Sequence, residues 1–136
     1  MKRIAPKPMK ISTFLFVFFI SLSFSGFSQL DSLSAQVYLV ANENSETGYS
    51  LQLHLEANDV MLIGAFTVVV YDQATDEIIA MRSFTSEDIV AQGLIQNGKI
   101  EAEVGEIIPT DIYRIITTVQ NLQMAYLNPL VTSYPY

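Results

Sequence analysis

The stretch "GYSLQLHLEAND" constrains the fold more than any other part of the chain. In it Tyr49, Leu51, Leu53, Leu55 and Ala57 alternate with Ser50, Gln52, His54 and Glu56. A period of two sends successive side chains to opposite faces of an extended backbone, so this segment reads as a strand with one buried and one wet face. The stretch before it, "SAQVYLVAN", alternates in the same way, with Ala35, Val37, Leu39 and Ala41 against Gln36, Tyr38, Val40 and Asn42. The polar "NENSETG" between the two is a connecting loop.

The pattern continues along the chain. "AFTVVVYDQATDEIIAMRSF" holds two β-branched and aromatic runs around the turn-prone "DQATDE", and predicts a hairpin. In "TSEDIVAQG", Thr85 stands three residues before Asp88 in the spacing of an amino-terminal helix cap, and Gly93 supplies a stop, so a short helical turn is expected. "LIQNGKIEAEV" contains Asn97-Gly98, the dipeptide best suited to positive φ at both centre positions of a two-residue hairpin turn. Beyond it Ile100, Ala102 and Val104 are expected to face inward, and Lys99, Glu101 and Glu103 outward. "DIYRIITTVQN" is strongly β-forming, and "QMAYLNPLVTSYPY" reads as an edge strand interrupted by Pro129, which cannot donate to a ladder. Seven or eight short strands at intervals of about ten residues, without a long helix, indicate an all-β fold: a single antiparallel sandwich of two sheets.

The amino-terminal end has a different character. Lys2, Arg3, Lys7 and Lys10 precede the apolar run "ISTFLFVFFISLSFSGFS", which has the layout of an export signal, and Gly26 and Ser28 are the small residues a signal peptidase requires. Residues 1–28 are therefore expected to be a signal peptide cleaved after Ser28, and residues 29–136 one domain of ordinary small size. The chain has no cysteine, which excludes lipidation at the cleavage site, disulfides, a thiol nucleophile and thiolate metal sites. Four of the seven basic residues lie in the export segment. Arg82, Lys99 and Arg114 remain against fourteen acids, and subtracting the acids from the bases gives −11. That balance argues against nucleic acid and anionic membranes as partners, since both are bound by clustered Lys and Arg. It fits an exported protein, periplasmic or extracellular, with no stable membrane insertion once the signal is removed.

In "IIPTDIYRI" an apolar Ile107, Pro109, Tyr113 and apolar Ile115 follow one another in a spacing that resembles the entry to strand F of fibronectin type III and related immunoglobulin-like domains. The resemblance implies that Tyr113 forms a tyrosine corner, its hydroxyl bonding to the backbone a few residues upstream. It also implies that Ile107 and Ile115 pack into the core and that Pro109 fixes the crossover between sheets. The chain has no tryptophan, which fibronectin type III domains usually place on strand B, so the resemblance is to the immunoglobulin-like sandwich in general. The export signal followed by Gln29 resembles those of Bacteroidetes proteins.

The residues offer little chemistry. His54 is the only histidine, and Ser50, on its face, is four residues away, roughly 13 Å along a strand and too far for an activating hydrogen bond. Glu101 and Glu103 point the same way about 7 Å apart, within the range of glycosidase carboxylate pairs, but on what should be an exposed face. Asp72, Asp76 and Glu77 are the acids best grouped for calcium, followed by Glu43 and Glu46, and neither group follows the EF-hand order. Tyr38 and Tyr126, on strands expected at the sheet edges, could furnish a binding surface. The expectation is a non-catalytic interaction or accessory module of the bacterial envelope, without a cofactor. It would contact an envelope or extracellular protein through strand edges or loops. A calcium- or carbohydrate-binding adhesion module is the alternative.

Overall fold

The computed structural model describes residues 29–135, so the signal segment and the expected cleavage after Ser28 lie outside the described residues. Eight strands form: β1 (Ser34–Ala41), β2 (Tyr49–Glu56), β3 (Ile63–Asp72), β4 (Ile78–Thr85), β5 (Ile95–Gln96), β6 (Lys99–Glu106), β7 (Tyr113–Asn121) and β8 (Leu130–Tyr134). They pair antiparallel into two four-stranded sheets, ordered β1-β2-β6-β5 and β4-β3-β7-β8. The order is compatible with an immunoglobulin-like sandwich. Among the described residues no helix is long and apolar enough to cross a membrane.

The core lies between the inner faces. Leu51, Leu53 and Leu55 of β2 are fully buried, as their alternation requires, and they meet Val37, Ile100, Ala102 and Val104 from neighbouring strands. The second sheet contributes Phe66, Val68, Val70, Phe84, Ile115 and Val119. Phe66 and Phe84 are opposite one another in the β3–β4 ladder and stack with ring centroids 4.8 Å apart. Each such side chain removed from water stabilises the fold by about 1.5–3 kcal/mol. Arg82 occupies an inward register position on the edge strand β4. Its guanidinium lies over Phe84 and donates to the Glu103 carbonyl at 2.9 Å, placing a charged group where β4 approaches β6.

Local signals in the sequence explain the connections. Asn97 and Gly98 both adopt positive φ, 54° and 76°, and join β5 to β6 through a two-residue turn. Helix α1 (Ser86–Ala91) starts with a complete capping box between Thr85 and Asp88, and Gly93 takes the left-handed conformation just beyond its end. The alternation fails at the start of β2, where Tyr49 is 41% exposed and Ser50 only 1%. Asn42 folds over this end of the sheet, its Nδ2 donating to Ser50 Oγ at 2.7 Å and to Glu103 Oε2 at 3.1 Å, while the β2–β6 register shifts between Leu51 and Gln52.

Candidate functional site

The two sheets present outer faces of opposite chemistry. On the first, the ladders place His54 beside Gln36 on one side and Glu101 on the other, with Gln52 beside Tyr38 and Glu103. The Tyr38 hydroxyl donates to Glu101 Oε1, His54 Nδ1 bonds Glu101 Oε2, and His54 Nε2 reaches Glu56 Oε2 at 2.7 Å. Glu101 therefore does not stand free on an exposed face as the sequence suggests: its side chain is 17% exposed and both its oxygens are engaged. Glu103 is held by Asn42, and Ser50 is tied to Asn42, not to His54. Both ring nitrogens of His54 are committed to carboxylates, so the imidazole is not placed to activate Ser50.

Electrostatics match this closed arrangement. Hydrogen bonds to Glu101 and Glu56 raise the His54 pKa above its usual 6.5, and desolvation does not reverse that shift. Burial alone would push the Glu101 carboxyl up, but hydrogen bonds from Tyr38 and His54 outweigh it and bring the group below the ordinary carboxylate range. The bond to Glu101 is also the main reason the Tyr38 phenol is raised. The stabilisation from His54 is complete below its unfolded pKa and is lost as pH rises through the folded one. That from Glu101 is present above its unfolded pKa and is lost as pH falls through the folded one. The cluster thus contributes most between roughly pH 4.5 and 6.5, the ordinary values of the two groups. The stability advantage of the wild type over His54→Gln should shrink as pH rises from about 6 to about 9, measured as the difference in denaturation midpoint. A constant difference would show that the imidazolium is not what these carboxylates hold.

The second sheet's outer face is crossed by an apolar row. Cross-strand register aligns Met81, Val69, Ile116 and Val131 in one row across all four strands. The row ends are open, Met81 at 63% and Val131 at 62% exposure. On one side lies the row of Ile78, Tyr71, Arg114 and Ser133, with Ile78 exposed and the Arg114 guanidinium 4.7 Å above the Tyr71 ring. On the other, Ser83, Thr67 and Thr118 form a hydroxyl row, Thr67 and Ser83 being hydrogen-bonded at 3.0 Å. Arg114 is the one ionisable group other than tyrosine in these three rows, and it pairs with Asp76 at 2.7 Å. Tyr126 is 73% exposed and bridges to Gln120 of β7, directly opposite it and therefore on the same side of the sheet.

The residues singled out in the sequence thus fall in different places. Tyr38 lies on the edge strand β1 with its hydroxyl engaged, whereas Tyr126 lies not on a strand, as the sequence suggests, but in the β7–β8 connection beside the second sheet, so the two do not form one surface. Ile107, Tyr113 and Ile115 are buried, Pro109 is half-buried in the loop before β7, and Tyr113 Oη accepts a hydrogen bond from the Ile108 N–H at 2.9 Å. Burial pushes the Tyr113 phenol up. Asp72 Oδ1 accepts from the Ala74 and Thr75 amides of its own turn, and Asp76 is paired with Arg114. Among the described residues no group of three or more His, Asp or Glu is placed to hold a metal ion. Sequence reasoning missed both the His54–Glu101 contact and the apolar row, because each depends on which distant strands become neighbours.

Comparison with known proteins returns no matching family model, no matching curated protein and no matching solved structure.

Proposed function

We propose that this chain is an exported, non-catalytic binding module that acts through the outer face of the β4-β3-β7-β8 sheet. The observation that carries the reading is the row Met81–Val69–Ile116–Val131, an apolar stripe across every strand of that sheet with no unpaired charge beside it. Interface centres are depleted of charge and enriched in aromatic residues, Met and Arg, and this face carries Tyr71, Met81 and Arg114. The opposite face, where every acid of the central cluster already has a partner, supports no comparable contact. An immunoglobulin-like domain in the envelope of a Bacteroidetes-type bacterium is the setting that the sequence resemblance supports, and an envelope or extracellular protein the kind of partner.

The reading is tested by crosslinked capture from the organism's own envelope with three forms of the protein. Wild type and Glu101→Gln should recover the same stoichiometric partner, and a Met81→Asp/Val131→Asp variant should lose it. Both aspartates replace exposed side chains, so folding should survive, as a retained circular dichroism spectrum would verify. Equal recovery by the double variant would remove the face from the account, and loss with Glu101→Gln would transfer the contact to the first sheet.

A further inference from the structure

The shape and surroundings of the apolar row define its partner more closely, an inference that rests on the binding role just proposed. The row is long across the strands; along them the face ends at hydroxyls on one side and, past Ile78 and Tyr71, at Arg114 and the β3–β4 turn on the other. Four strands span roughly 14 Å at the usual inter-strand spacing, whereas the flanking rows turn polar within one side-chain pair on the hydroxyl side. A second sheet would need a broad apolar face opposite it. The apolar stripe of an amphipathic helix matches it better, since about ten helical residues rise roughly 15 Å.

Charge decides what flanks that stripe. Beyond one side of the row lies the β3–β4 turn with Asp72, Asp76 and Glu77, and near it Asp111 of the β6–β7 loop. Beyond the other side, past the end of β4, lie Glu87 and Asp88 of α1. Of the three bases of the described residues only Arg114 offsets one of these acids, Asp76, which leaves Asp72, Glu77 and Asp111 on that side. Arg82 is bound to the Glu103 carbonyl, Arg114 is paired with Asp76, and Lys99 stands at the β5–β6 turn of the other sheet. We infer that the face takes a basic amphipathic helix of another protein, its apolar residues on Met81, Val69, Ile116 and Val131 and its flanking Lys and Arg toward the acids on either side. A second copy of this chain would bring the same acids against them.

Amide shift mapping with two synthetic peptides of about fourteen residues tests this, one of leucine and lysine and one of leucine and glutamate in the same helical pattern. The lysine peptide should shift the amides of β3, β4, β7 and β8 around the row and weaken as salt rises from about 50 to about 500 mM, and the glutamate peptide should not bind. Met81→Asp should weaken the lysine peptide at least about tenfold. That variant is more acidic than wild type, so general attraction between opposite charges would make it bind more tightly. Tighter binding, shifts centred on Glu101 and Glu103, or equal binding of both peptides would overturn the inference, as would a dimer of this chain through the same face. If capture of a partner still required Met81 and Val131, the binding role would stand while the helical, basic partner fell.

Discussion

Gly64→Ala should destabilise the protein by about 3 kcal/mol or more, and lower its melting temperature by on the order of 10 °C. Gly64 lies at the irregularity in the β3–β7 ladder between Ile63 and Ala65. A Cβ there would stand 2.2 Å from the Asn121 carbonyl oxygen, 3.0 Å from its carbon and 3.3 Å from Leu122 Cα. All three are backbone atoms, so no side chain can rotate away. Either β7 moves off β3 at this end or the ladder breaks. β3 and β7 are the two central strands of their sheet, so both responses disturb the scaffold of the proposed binding face. Alanine at Gly48, where nothing lies within 4 Å of the added carbon, meets no such steric obstacle, although its φ of +84° carries a conformational cost. A melting temperature for Gly64→Ala within a degree or two of wild type would mean that the close approach of β3 to Asn121 is not real.

Tyr113→Phe should cost about 1–3 kcal/mol, read as a lower denaturation midpoint at unchanged slope. The phenyl ring keeps its place in the core, so packing changes little. What is lost is the acceptor for the Ile108 N–H, now 2.9 Å from Tyr113 Oη in a half-buried site, and an amide left unpaired there bears its own desolvation penalty. This is the corner role that the likeness of "IIPTDIYRI" to immunoglobulin-like domains implies for Tyr113. An unchanged midpoint would remove that role and leave the tyrosine as core filling.

Much of the fold is legible in the sequence, because it rests on signals within a few residues of one another. The leucines of β2 mark their buried face, Asn97-Gly98 marks a turn that needs positive φ twice, and Thr85 with Asp88 marks the start of α1. The exception at Tyr49 and Ser50 follows from a contact with Asn42, which the alternation does not contain. The surfaces are legible only in part. That Glu101 and His54 face outward follows from each strand alone, but that they touch follows from β6 lying beside β2, with β3, β4, α1 and β5 between them in sequence. The apolar row has the same origin. Met81, Val69, Ile116 and Val131 are single outward-facing residues on four strands, and one exposed apolar side chain on a strand signals nothing. Only the register puts them in line, which is why strand edges and loops, not a sheet face, are what the sequence suggests for contact.

The outer face of the β4-β3-β7-β8 sheet is the proposed place where this protein meets its partner. Amide hydrogen exchange of the protein alone and crosslinked to the partner it captures tests this most directly. Added protection is expected in β4, the β3–β4 turn, β8 and the start of α1, with β1 and β2 exchanging as before. Protection confined to β1, β2 and β6, around Tyr38 and Glu101, would contradict it.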